Sequence, residues 1–344
     1  MNPAAPLSLT AAVLERGIAD RVFPGAVVEI GRREGPIATL ARGTLTYAPD
    51  APPAGADTIY DLASLTKILA TATVMVSEFD SGRMRLDDRV RHFIPSWTGE
   101  ERQIVTIQDL LEHSSGLPAH RPYYKWRQGR ASVELAICEE PLEYAARTRS
   151  VYSDAGFILL GFCIEHAAKT TLDRLFDDWR RAAINDDVEI RFGTDAAWYD
   201  RVASSEVRDD GDDRRGIVHD ENAAALDGVA GHAGLFGTAA AVGACARWWM
   251  ASSALPRFSQ RSLVPGSSRG LGWDTMLLTS SCGTRLSPQA VGHTGFTGTS
   301  LWIDPPRNLY VAFLSNRVHP TRAGEGIQSA RRALHDAVIL DLES

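Results

Sequence analysis

The 344-residue chain predicts an α+β fold, an antiparallel sheet flanked by helices with a mainly helical region inserted into it. Three observations lead there. Strand-like runs stand near both ends, at Gly25–Gly31 and Ile37–Tyr47 and again at Thr299–Ile303 and Tyr310–Ser315. The middle carries helix-start signals rather than strand alternation. The length exceeds what one compact core usually serves and suits two. The expected division is a sheet body of residues 1–84 and 236–344 and an inserted helical domain of residues 85–235, with their junction the expected place for a functional site.

The elements follow in order. After a Pro- and Ala-rich lead, Ser8–Arg21 reads as a helix with Ser8 as N-cap. The first two strand-like runs form a hairpin closed by Arg32-Arg33-Glu34-Gly35. Pro49–Gly55 is a loop. Thr58–Ala63 reads as a short strand running into a long apolar helix, Ser64–Ser81, stopped by Gly82. Thr106-Ile107-Gln108-Asp109 has the form of a capping box and opens a short helix ending before Ser115-Gly116. Ser132–Glu139 is another short helix, and Ser153 caps a third, Asp154–Lys169. Asp186–Asp220 is polar, and its charge run Asp209–Arg215 reads as a solvated loop. Thr238 caps a helix through Met250, Asp304–Asn308 turns between the last two strands, and Ala323–Leu340 closes the chain as a helix.

Composition excludes several classes. Basic residues number 36 against 43 acidic, a net charge of −7, which argues against nucleic acid or an anionic membrane as the main partner. No apolar run approaches the roughly 18 residues of a membrane span. Met1–Gly17 lacks a basic segment followed by an apolar core, so the expected compartment is the cytoplasm, or the periplasm if a leader has been removed. Cys138, Cys163, Cys245 and Cys282 are scattered and read as small buried hydrophobes.

The chemistry starts at Ser64-Leu65-Thr66-Lys67. A serine and a lysine three apart share one face of a helix, so the amine reaches the hydroxyl a turn away. A free serine needs such a base to become a nucleophile, and lysine serves when its surroundings lower its pKa. The helix N-terminus adds N–H groups for a developing anion. Only three lysines exist, Lys67, Lys125 and Lys169, and chance produces roughly 0.2 such matches at this composition. Tyr152-Ser153-Asp154 places a phenol and a carboxylate two apart at a helix start. His293-Thr294-Gly295-Phe296-Thr297-Gly298 precedes a strand, with glycines that allow close backbone approach. His219, Asp220, Glu221 and His232 lack the spacing of a metal site and read as a loop lining a cleft.

In this order and at these separations, the three motifs resemble those of the serine β-lactamase and penicillin-binding-protein superfamily. The phrases at residues 59–71 (IYDLASLTKILAT), 106–118 (TIQDLLEHSSGLP), 229–238 (VAGHAGLFGT) and 293–300 (HTGFTGTS) are similar to its class C β-lactamase-related branch of D-alanyl-D-alanine carboxypeptidases and esterases. Val218–Ala223 (VHDENA) is similar to penicillin-binding protein 4B-like hydrolases. The resemblance implies a β-lactamase/transpeptidase-like fold and a serine hydrolase with no cofactor and no metal. It implies Ser64 as the acylated nucleophile, Lys67 as its proton shuttle and Tyr152 as general base. It places the oxyanion hole at the N–H groups of Ser64 and Phe296. Gly295 would allow the close approach, and Thr294 would bond the substrate or the Lys67–Tyr152 network. Two departures stand out: Asp154 replaces the usual Asn, and His293 replaces the usual Lys. A carboxylate near Lys67 favours the ammonium and makes Tyr152 the better base. A mostly neutral His293 anchors a substrate carboxylate less well than lysine. His120 would contact the substrate amide, and Arg322 would restore a carboxylate anchor.

The implied substrate is a small ester, amide or peptide, taken by a carboxylesterase or D-amino-acid peptidase. Weak β-lactam hydrolysis and acyl transfer remain open on the same chemistry, and a non-catalytic binding protein on the same fold is the alternative of another class.

Overall fold

The structure, a computed structural model, describes residues 7–185, 187–207 and 211–344. Helix α1 (Ser8–Ala19) leads into a hairpin of β1 (Gly25–Arg32) and β2 (Gly35–Gly43). Strand β3 (Tyr60–Asp61) precedes the segment that carries Ser64, after which come α2 (Ala72–Asp80), α3 (Val90–Phe93), α4 (Ile107–Leu111), α5 (Arg130–Glu139), α6 (Asp154–Ala168) and α7 (Leu172–Ala183). Strand β4 (Ile190–Phe192), α8 (Glu221–Ala224), β5 (Leu235–Gly237), α9 (Ala239–Ala251) and α10 (Leu255–Ser259) follow. The chain ends with β6 (Asp274–Thr275), β7 (Val291–Thr294), β8 (Ser300–Asp304), β9 (Leu309–Ser315) and α11 (Ile327–Glu343).

The main sheet is antiparallel and runs β2-β1-β9-β8-β7-β6, so strands from the two ends of the chain meet at its centre. The register pairs Val28 with Phe313 and Ala26 with Ser315. Side chains alternate between faces. Ala26, Val28 and Ile30 of β1, with Val311 and Phe313 of β9, pack with Leu14 of α1 and Leu334 and Val338 of α11. Val27, Ala312 and Leu314 point the other way, into a core shared with Val242, Ala246 and Trp249 of α9. Both faces are covered, so β1 and β9 carry near-continuous apolar runs. A smaller sheet, β3-β5-β4, stands beside the Ser64 segment.

Several caps match the sequence reading. Thr106 and Asp109 form a reciprocal capping box, Ser153 accepts from the Gly156 N–H, and Thr238 accepts from the Ala241 N–H. Other expectations are corrected. Ser8 does not cap α1: the N–H groups of Leu9 and Thr10 donate to the Asp341 carboxylate of α11, at 3.1 and 2.8 Å, and the Thr10 hydroxyl adds a bond of 2.7 Å. Strand β2 ends at Gly43, and the closing helix starts at Ile327, four residues later than expected from Ala323. Helix α7, with Leu172, Phe176 and Trp179 on its buried face, has no counterpart in the sequence reading. Within the charge run, Asp209 and Asp210 lie outside the described residues, as does the Pro- and Ala-rich lead at residues 1–6. The rest of the run is tied down: Nη2 of Arg214 donates to the Val218 carbonyl at 2.6 Å, and Asp213 pairs with His319 at 3.2 Å. All four cysteines are free and buried. Among the described residues no helix is long and apolar enough to cross a membrane.

The bond of α1 to α11 joins the ends of the chain. Asp341→Ala strands the buried Thr10 N–H and the partly buried Leu9 N–H, and the expected loss is about 2 kcal/mol, read as a lower denaturant midpoint at unchanged slope.

Candidate active site

The segment after β3 is not the regular helix the sequence suggests. Ala63–Leu65 is a 3-10 turn, Lys67–Thr71 a π-helical turn, and α-helical geometry begins only at Ala72. Ser64 lies in the first turn and Lys67 opens the second, with the lysine Nζ 3.1 Å from the serine Oγ. Ala63, directly before the serine, has φ = +46°, a left-handed conformation rare for residues with a Cβ. Neighbouring hydroxyls hold this strained turn. Thr297 Oγ1 donates to the Asp61 carbonyl at 2.7 Å, and Thr299 Oγ1 donates to the Leu62 carbonyl at 3.1 Å.

Lys67 is fully buried, and its Nζ donates three hydrogen bonds: 2.8 Å to Asp154 Oδ1, 3.1 Å to Ser64 Oγ and 3.2 Å to the His232 carbonyl. Three donors meet three acceptors, so the group is satisfied as an ammonium. Burial alone would lower its pKa, but the Asp154 carboxylate and the Tyr152 oxygen outweigh it and hold the lysine above its usual value. The Tyr152 hydroxyl interacts with both Lys67 and Ser64. Burial raises the phenol's pKa, and the ammonium draws it only partway back. At neutral pH the resting site therefore holds an ammonium and a phenol.

The Tyr152 segment is stitched to the turn before it. Val151 N–H donates to the His113 carbonyl, Ser153 N–H to His113 Nδ1 at 3.0 Å, and Ser153 Oγ to the Pro118 carbonyl at 2.6 Å. The His113 ring lies 4.7 Å from that of Tyr152, and burial keeps it uncharged. Because its Nδ1 accepts, its proton sits on Nε2.

A cavity of about 360 Å³ opens beside Ser64, lined by Ala63, Ser64, His120, Tyr124, Asp154, His219, Asp220, Glu221, Ala233, Phe296 and Arg322. That size accommodates a small-molecule substrate. Phe296 is half exposed, its carbonyl accepts from Arg317 Nε at 2.8 Å, and its ring lies between that guanidinium and His219. His120 stands at the mouth, with Nδ1 3.9 Å from Asp154 Oδ2. Asp220 caps α8 and accepts from His232 Nε2 at 2.8 Å.

Thus Ser64, Lys67, Tyr152 and Asp154 come together, with His120, Phe296 and Arg322 around the same cavity. His293, Thr294 and Gly295 are placed differently. His293 is buried behind Tyr152, ring centroids 5.7 Å apart, with Nδ1 bonded to the Thr294 carbonyl at 2.8 Å. Burial, with Arg269 and Lys67 nearby, keeps it uncharged, and it is not among the lining residues. Among the described residues the Thr294 hydroxyl makes no hydrogen bond. Gly295 does serve a close approach, but to the protein's own backbone: a Cβ there would lie 2.7 Å from the Leu62 carbonyl. Arg322 faces the cavity already committed, with Nε and Nη2 on Glu206 and Nη2 also on Glu221 at 2.6 Å. A substrate carboxylate would compete with two resident ones there. His219 and His232 take separate carboxylates, Glu206 and Asp220, and no group of three or more potential ligands among the described residues is placed to hold a metal ion. Sequence reasoning missed His113, Glu206 and Asp61. His113 and Asp61 stood inside phrases already singled out, whereas nothing in the local sequence marks Glu206.

The fold and this site define a serine hydrolase of the β-lactamase and penicillin-binding-protein type. The chain belongs to the Beta-lactamase family, whose model matches residues 10–335. It is similar to a protein of Escherichia coli (strain K12) named "Putative D-alanyl-D-alanine carboxypeptidase", 30% identical over 307 residues, covering 76% of this chain and 70% of that protein. Among solved structures it is similar to a penicillin-binding protein homolog from Caulobacter crescentus, with TM-score 0.77, 19% identity and 99% of each chain covered. It is also similar to EstCE1, described as a hydrolase with promiscuous acyltransferase activity, with TM-score 0.75, 20% identity and 96% and 97% of the two chains covered.

Asp154 controls the charge of Lys67. In Asp154→Asn the Lys67 ammonium loses its nearest anion, and its titration midpoint is expected to fall. With three lysines in the chain, selective lysine ¹³Cε labelling gives few resonances to follow.

Proposed function

We propose that the protein is a serine hydrolase that cleaves small esters or amides through an acyl-enzyme on Ser64. The observation that carries this reading is the contact of Lys67 with both Ser64 and Asp154 beneath a cavity. An ammonium has no lone pair to take a proton, so Lys67 in its resting form can only donate to Ser64 Oγ. The serine proton then passes to the Tyr152 oxygen in the fraction of molecules where that oxygen is a phenolate, with the ammonium beside it stabilising the charge. Ser64 Oγ attacks the substrate carbonyl, and the N–H groups of Ser64 and Phe296, two residues that line the cavity, receive the oxyanion. Tyr152 returns the proton to the departing alcohol or amine, and the same pair activates the water that releases the acid. The site sits where the sheet body meets the helical insert.

The charges favour substrates without an obligatory carboxylate. His293 is uncharged and buried, and Arg322 is paired with Glu206 and Glu221. A D-alanyl carboxypeptidase activity, suggested by the name of the Escherichia coli relative, is the second reading, and it requires a C-terminal carboxylate to displace one of Arg322's partners.

Ser64→Ala is expected to abolish p-nitrophenyl acetate turnover and fluorophosphonate labelling, and a variant that keeps both places the nucleophile elsewhere. Tyr152→Phe should lower kcat about 10²–10⁴-fold. Because the phenol's pKa is raised, kcat/KM of the unmodified enzyme should climb with pH from neutral into the alkaline range. Ranking neutral esters against D-alanyl peptides by kcat/KM decides between the two substrate readings.

A further inference from the structure

The buried carboxylate of Asp61 lies outside the reactions described so far. It sits at the end of β3, two residues before the left-handed Ala63 and three before the nucleophile, and is 4% exposed. Its two oxygens are divided between two segments. Oδ1 accepts from the Ala63 N–H at 2.8 Å, and Oδ2 accepts from the His219 N–H at 2.6 Å. One side chain therefore ties the strained turn under Ser64 to the loop that supplies His219, Asp220 and Glu221 to the cavity wall. Its own carbonyl is held in turn by Thr297, one residue past the proposed oxyanion donor Phe296.

We propose that Asp61 is a positioning residue for the acylation of Ser64, clamping the Ala63 turn and the His219 loop in the geometry that aims the serine into the cavity. The inference rests on the reading of Ser64 as the nucleophile. A left-handed conformation at a residue with a Cβ costs on the order of 1–3 kcal/mol and persists only where the surroundings enforce it. The Asp61 to Ala63 hydrogen bond is the enforcement nearest the serine. The clamp needs both oxygens as acceptors, hence an ionised carboxylate. Burial opposes that, and the nearby Asp220 carboxylate opposes it further. The two N–H bonds and the Arg214 guanidinium favour it, and the net result is a pKa raised to about 6. The His219 imidazole on the same loop is kept mostly uncharged by burial. Below pH 6 one Asp61 oxygen becomes a hydroxyl and releases an N–H, so catalytic geometry is lost on the acid side. The sign for stability is opposite: a carboxyl whose folded pKa is raised contributes stability that is present at low pH and lost as pH rises through about 6. The charge thus serves the turn and not the fold.

The test uses the full chain, with p-nitrophenyl acetate as substrate. The ratio of wild-type to Asp61→Asn kcat, which cancels the slope set by Tyr152, is expected to fall with a midpoint near pH 6 while circular dichroism shows both folds intact over that range. At neutral pH Asp61→Asn is expected to lower kcat about 10–100-fold with KM within threefold, and it contributes no limb near pH 6 because an amide does not titrate. Adding Ala63→Gly should recover part of the loss, because glycine takes the left-handed conformation without strain. The proposal is overturned if that ratio is flat through pH 6, or if Asp61→Asn folds with kcat within twofold of wild type at neutral pH. Ser64→Ala separates the two levels: turnover surviving there overturns the nucleophile reading itself, whereas loss there beside an unaffected Asp61→Asn overturns only the clamp.

Discussion

The site depends on one buried ammonium. Lys67 has no access to solvent, and a charge in that position is stable only because each of its protons has a protein acceptor. Those acceptors come from three parts of the chain: the Ser64 turn, the start of α6 and the strand of residues before β5. The lysine therefore fixes where these pieces stand relative to each other, and with them the distance between hydroxyl, phenol and carboxylate. Changing Asn to Asp at position 154 is more than a polar swap in this setting. It adds the counter-charge that favours the ammonium form of the lysine.

Around that centre the protein uses backbone acceptors, small hydroxyls and one buried guanidinium. Thr297 and Thr299 grip the carbonyls of Asp61 and Leu62, and the buried Arg331 of α11 donates to the carbonyls of Gly295 and Thr299 at 2.6 and 2.8 Å. Two uncharged imidazoles, His113 and His293, flank the Tyr152 ring. The result is a rigid floor of low polarity under a cavity whose walls carry the carboxylates. Electrostatic effects on the reacting groups are strong in such a place because little water screens them.

Much of this was legible in the sequence, for physical reasons that differ by element. Capping residues act on neighbours three positions away, so Thr106, Ser153 and Thr238 announced their helices correctly. The central strands carried apolar runs that mark burial on both faces. Ser64, Lys67, Tyr152 and Asp154 lay in short motifs whose spacing reflects local geometry. What stayed hidden depended on partners far away in the chain. The cap on α1 comes from Asp341, more than 330 residues on, and the pairing of Arg322 with Glu206 spans 116 residues. The 3-10 and π-helical turns after Ala63 were also hidden, because apolar residues fit an α-helix equally well and the distortion comes from tertiary clamps. Gly295 was assigned to substrate approach, whereas the space it spares is filled by Leu62 and Thr299.

The central pairing of β1 with β9 also sets the order in which the molecule can become competent. Residue 26 finds its neighbour at residue 315, and the hydroxyls that steady the turn before Ser64 belong to residues 297 and 299. Contacts this distant in sequence form slowly and late. During synthesis Ser64 emerges early, but its turn stays unassembled until residues 297, 299 and 315 have left the ribosome, so a chain cut short before them carries the serine without the contacts that hold its turn.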